Sequence, residues 1–167
     1  PLAMVFWLSA RIHAMSVSKA QGWFYAFAAL MGISLSSILI VYTGESVARA
    51  FFITAAAFAS LSIYGYTTKR DLGPLGAFLM IGVVGLLLAM IVNMFVGSMG
   101  MGLLISVGGV LIFAGLTAYD TQKIKMMYMA SDSHSTAQKK SIHGALQLYL
   151  DFINMFLFLL HLFGNRE

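Results

Sequence analysis

Asp120 and Asp151 are the residues with which this chain can do chemistry. Asp120 sits in the stretch Thr117-Ala118-Tyr119-Asp120-Thr121-Gln122-Lys123-Ile124-Lys125, after a run from Leu72 to Tyr119 without one charged side chain. Asp151 lies inside a second apolar run, Leu146 to Leu160. An ionised aspartate near the middle of a bilayer costs roughly 2.5–3.5 kcal/mol, so two of them call for a reason. Two carboxyl groups in one low-dielectric site cannot both ionise cheaply, and they titrate as a unit. Sharing a proton, they hydrogen-bond to each other. Both ionised, they repel each other and attract a hard cation. Calcium takes about six to eight oxygens. Asp120 and Asp151 are the candidate anionic ligands, and Thr117, Gln147, Asn154, backbone carbonyls and water are the neutral ones. A weak site suits conduction, because the ion must also leave.

The elements that must position this pair follow from composition. Of 167 residues, 60% are hydrophobic and 10% charged, with mean hydropathy +0.87. A soluble domain carries about 25% charge. The chain therefore reads as an all-α polytopic transmembrane bundle, one domain over residues 1–167. The apolar runs are continuous rather than alternating, which selects helices over a barrel. No cysteine is present, which excludes disulfides, thiol catalysis and cysteine metal sites. The net charge of +4 is placed at helix ends. No basic stripe interleaves with aromatics, so no nucleic-acid partner is expected. The chain opens at Pro1 already inside an apolar run, as a fragment would.

Pro1 to about Met15 reads as the end of a truncated span. Gly22 to Tyr42 is a charge-free crossing, and about 20 residues suffice for one. Thr43-Gly44-Glu45-Ser46 is a turn, with Ser46 as the expected N-cap of a span reaching about Tyr66. Pro74 suits the first turn of the next helix. The uncharged run to Tyr119 is twice one crossing, so it folds back at the glycine-rich Val96 to Gly102. A fifth helix runs from about Met101 to about Tyr128, and Ala130 to Lys140 forms a loop. The last span runs from about Ser141 to Phe163. That makes five full helices and one partial.

Alternating the loops puts Arg11, Lys19, Lys69, Arg70, Lys123, Lys125, Lys139 and Lys140 on one side, and Arg49 and Arg166 on the other. The richer side is expected to be cytoplasmic. Asp120 and Asp151 then lie in the cytoplasmic half, each roughly 13–15 Å from the loop that joins their helices. Gly144, Gln147, Asp151, Asn154, Phe158 and His161 repeat at spacings of three and four, so Gln147, Asp151 and Asn154 share a face that lipid turns inward. Asn93 shares a face with Gly85 and Ala89, whose small side chains permit close helix approach. The plainer alternative is that Asp120 marks a helix end at the headgroups, paired with Lys123. His13, His134, His143 and His161 have no ligand spacing, so no zinc site is expected. Ser34, Ser36 and Ser37 read as packing hydroxyls.

Three motifs carry a family resemblance. Gly115-Leu116-Thr117-Ala118-Tyr119-Asp120-Thr121-Gln122-Lys123-Ile124, Gly65-Tyr66-Thr67-Thr68-Lys69-Arg70-Asp71-Leu72 and Leu148-Tyr149-Leu150-Asp151-Phe152-Ile153-Asn154 resemble the Bax inhibitor-1, or transmembrane Bax-inhibitor-motif, family, and its bacterial members most. The resemblance implies seven helices, of which the first is missing here. It implies a pH-sensitive calcium-leak channel or transporter in the bacterial inner membrane, not an enzyme, with calcium as the permeating ion and no cofactor. It implies that Asp120 and Asp151 are the proton-sharing pH sensor. It also implies a latch by an arginine on the second family helix, where Arg11 lies. Two other readings stay open. One is a regulatory protein acting through a membrane partner, such as a membrane protease. The other is an intramembrane aspartyl protease, since Tyr119-Asp120 is similar to presenilin-like enzymes. Against the latter, Asp151 follows Leu148-Tyr149-Leu150 rather than Gly-x-Gly, and with prolines only at 1 and 74 no Pro-Ala-Leu motif follows.

Overall fold

A computed structural model describes residues 2–127 and 131–164. Every regular element among them is helical. Helix α1 (Leu2–Arg11) leads through a 3-10 turn, Ile12–Ala14, into α2 (Val17–Leu35) and α3 (Ile38–Val41), which together make one crossing. Helices α4 (Gly44–Thr67), α5 (Gly73–Val96), α6 (Met99–Met127) and α7 (His134–Phe163) make four more. The expected all-α membrane bundle forms, with five segments long and apolar enough to cross a membrane and α1 as a short sixth.

Several boundaries differ from the sequence reading, each for a local reason. The Ser16 hydroxyl caps α2 by accepting from Lys19 N–H at 3.3 Å, so that crossing starts before Gly22. It breaks at Ser36–Ser37, where these hydroxyls donate back to the carbonyls of Ile33 (2.6 Å) and Ser34 (3.2 Å). Thr43, rather than Ser46, caps α4, accepting from Ser46 N–H at 3.2 Å. Of the glycines in the turn between α5 and α6 only Gly97 adopts a left-handed conformation, at φ 67°, while Gly100 and Gly102 belong to α6. Helix α7 starts at His134, capped by Ser133, so its first two turns absorb most of the expected loop. Tyr128, Ala130 and Arg166 fall outside the described residues.

In lipid, apolar side chains gain little by leaving the acyl chains for one another, so close approach of small residues holds helices together. Helix α6 is central: it packs on α4 and α5, and most extensively on α7. Glycines admit each neighbour. A Cβ on Gly65 of α4 would run into the Ala118 backbone, and one on Gly76 of α5 into the Tyr119 ring. On α7, a Cβ at Gly144 would stand 3.0 Å from Ile124. Gly65 and Gly76 thus bring α4 and α5 against α6 just before Asp120. By contrast, Gly85 and Ala89 border a shallow hollow beside Leu104 and Ile105 instead of making the close approach expected of them. Helix α5 packs chiefly on α6 and leaves Phe78, Ile81, Leu88 and Phe95 exposed, as lipid-facing side chains are.

Apart from Arg49, near the start of α4, the basic residues among those described gather at one end of the bundle. Lys125 Nζ donates to Tyr66 O at 2.7 Å and lies 4.7 Å from the Tyr66 ring centre. Lys139 Nζ donates to His13 O at 3.3 Å, and Lys140 Nζ to Met127 O at 3.0 Å and Asp132 Oδ2 at 2.7 Å. These contacts tie the turn after α1, the end of α4, the end of α6 and the start of α7 into one surface.

Candidate functional site

Asp120 and Asp151 face each other across the α6–α7 interface. They are 8% and 5% exposed, and the two side chains lie within hydrogen-bonding reach. Two carboxylates are both acceptors, so that bond needs a proton on one of them. Asp151 Oδ2 is closed off from solvent and has no hydrogen-bond partner among the described residues. If both groups ionise, their repulsion is on the order of 4 kcal/mol for charges about 4 Å apart at an effective dielectric of about 20. The threonine hydroxyls flanking Asp120 are engaged within α6. Thr117 Oγ1 donates to Phe113 O and Thr121 Oγ1 to Thr117 O, both at 2.7 Å.

Asp120 does not sit at a helix end, since α6 continues for almost two turns to Met127. Nor does it form an ion pair with Lys123. Among the described residues the ion pairs are Arg49–Glu45 and Lys140–Asp132. Lys123 is close enough to act electrostatically on both Asp151 and His143 without touching either carboxylate.

The expected supporting residues divide. Gln147, one turn before Asp151, holds its Oε1 buried and without a partner. Thr117 is fully buried, its hydroxyl proton already donated within α6. Asn154 points elsewhere: its Nδ2 donates to Leu150 O at 2.8 Å, and it lines a cavity of about 500 Å³ with Tyr42, Asn93, Ser106 and His161 at the end away from the lysines. Arg11 is not brought to Asp120. It is exposed and lines a hollow with Trp7, Lys19 and Trp23, because Leu8 and Ile12 take the buried face of this segment.

No group of three or more His, Asp or Glu side chains converges among the described residues. A cation at the pair would therefore have two carboxylates and otherwise neutral oxygens, the composition of a weak hard-ion site.

Two polar residues escaped the sequence reading. Gln122 is buried and acts as a clamp, its Oε1 accepting from Leu72 N–H at 2.9 Å and its Nε2 donating to Arg70 O at 2.7 Å. No pattern in the sequence marks it. His143 Nδ1 is also buried without a partner. Its signal was its spacing of four from Gln147 and eight from Asp151, which a search for metal-ligand spacing passes over.

The fold and site define a polytopic α-helical membrane protein with an acidic pair buried between two of its spanning helices. Residues 1–167 match the family described as inhibitor of apoptosis-promoting Bax1. The chain is 48% identical to the inner membrane protein YbhL of Escherichia coli K12 over 168 aligned positions, covering 99% of this chain and 72% of YbhL. It is 43% identical to the uncharacterized protein RP147 of Rickettsia prowazekii, covering 100% of this chain and 71% of that protein. A Caulobacter vibrioides protein is 53% identical over 147 residues, 86% of this chain and 58% of the other. The chain belongs to the Bax inhibitor-1 family.

Proposed function

We propose that this protein is a pH-gated calcium-leak pathway of the bacterial inner membrane, opened by loss of the proton shared between Asp120 and Asp151. The observation that carries the reading is the burial of two carboxyl groups within hydrogen-bonding reach on facing helices. With one proton between them, the pair bridges α6 and α7 and the path is closed. With both ionised, repulsion loosens that interface and the same oxygens attract a hard cation. Oxygens of Gln147 and water complete a coordination shell that stays weak enough to release the ion. The charge distribution supports a cytoplasmic position for the half of the bundle that holds the pair, and the likeness to YbhL, an inner membrane protein, supports the compartment. No residue is assigned a catalytic role. Calcium entry into dye-loaded liposomes carrying the purified protein, followed between about pH 5 and 8, tests the reading. Leak that rises with pH supports it, and no leak at any pH refutes it.

A further inference from the structure

We propose that His143, Gln147 and Asp151 line a water-occupied track along α7, opening at the basic end of the bundle, which is the route between the buried pair and solvent. Among the described residues four buried side-chain polar atoms lack a partner: Ser62 Oγ, His143 Nδ1, Gln147 Oε1 and Asp151 Oδ2. Three of the four recur every fourth residue on one face of one helix; the innermost, Asp151 Oδ2, belongs to the carboxyl within hydrogen-bonding reach of Asp120, so His143 Nδ1 and Gln147 Oε1 are the two atoms that call for water. Buried polar atoms left dry are costly, and natural proteins satisfy them with protein groups or ordered water. Four residues of helix rise about 6 Å, the span of one water making two hydrogen bonds of about 2.8 Å. The spacing thus fits one bridging water per step.

The track has an outer end. His143 is half-buried, so its ring straddles the boundary between interior and surface. The exposed His13 ring lies 6.3 Å from it, centre to centre, with Lys139 bonded to the His13 carbonyl. Facing the track from α6 are Lys123, which acts on His143 and Asp151, and Asp120, which acts on both as well. Lys140 is turned aside onto Asp132. The mouth is therefore basic and the inner end acidic. On the far side of Asp151, Asn154 has its amide nitrogen engaged with Leu150 O, and Met155 is fully buried. The unpartnered atoms end at the pair.

This assignment rests on the ion-pathway reading for its use but not for its existence, and the test keeps the two apart. The chain has no cysteine, so single cysteines report without background. His143→Cys, Gln147→Cys and, as a dry control from the adjacent core cluster, Leu146→Cys are reconstituted in liposomes and exposed to silver ion, small enough to enter a file of waters. Thiols still titratable after denaturation are then counted. Gln147→Cys is expected to react within about tenfold of His143→Cys and at least about a hundredfold faster than Leu146→Cys, since thiol reactivity follows access to solvent. A second variant, Gln147→Leu, is melted thermally. If water serves the Gln147 oxygen, losing it lowers the melting temperature; if the site is dry, removing an unsatisfied acceptor raises it. Gln147→Cys as inert as Leu146→Cys, or a raised melting temperature for Gln147→Leu, overturns the track. Fast silver reaction in a protein that leaks no calcium leaves the track standing and removes the channel.

Discussion

Replacing Asp120 by Asn exchanges a carboxyl for an amide of nearly the same shape, at a position 8% exposed and within hydrogen-bonding reach of Asp151. The sign follows from the pair. On the proposed gating, the wild-type pair shares one proton at low pH and the α6–α7 bond is made, and loss of that proton as pH rises replaces the bond by repulsion and opens the leak. In Asp120→Asn the amide N–H₂ donates to Asp151 whether or not that carboxyl is ionised, so the bond persists across the range. The repulsion removed is on the order of 4 kcal/mol. At about 1.4 kcal/mol per factor of ten, that would shift the open-to-closed ratio at high pH by up to roughly a thousandfold. The leak of Asp120→Asn is therefore expected to stay near its acid level at pH 8, with calcium affinity also reduced by loss of one of two anionic ligands. Asp151→Asn is expected to behave alike, because the titration belongs to the pair. The assay is calcium entry into dye-loaded liposomes at matched protein content. If both variants keep the wild-type pH profile, the pair is structural and the gating argument fails.

Gly65→Leu is expected to lower the melting temperature, because any Cβ there meets the Ala118 backbone and overpacking costs about 1–3 kcal/mol; an unchanged melting curve would show that α4 shifts freely. Gln122→Leu leaves Leu72 N–H and Arg70 O without their partners, a loss of about 1–3 kcal/mol. Faster amide exchange at Leu72 should report it, and unchanged exchange would mean that water replaces the clamp. Arg11→Ala is expected to leave the leak and its pH profile as in wild type, since Arg11 faces outward beside Trp7 and Trp23. A leak altered by that change would restore Arg11 as a latch on Asp120.

The membrane class and the helical fold were legible in the sequence, because hydropathy and charge along the chain decide which segments lipid accepts and where they stop. That Asp120 and Asp151 lie level with each other on α6 and α7 needed only helix rise and antiparallel connection. What the linear pattern could not settle was rotation. In lipid the outward face of a helix is as apolar as the inward one, so periodicity does not say which residues meet. Gln147, Asp151 and Asn154 read as one inward face, yet only Gln147 and Asp151 belong to the row of unpartnered atoms on α7, while Asn154 turns to a separate cavity. The resemblance implied a latch at Arg11, but Leu8 and Ile12 claim the buried face there. Nothing in the sequence singles out Gln122, and only the packing of α6 beside the Arg70–Leu72 turn makes it a clamp. Those choices rest on contacts between residues far apart in the chain, at glycines such as Gly65 and Gly76 where helices can touch. Helix contact, not hydropathy, decided them.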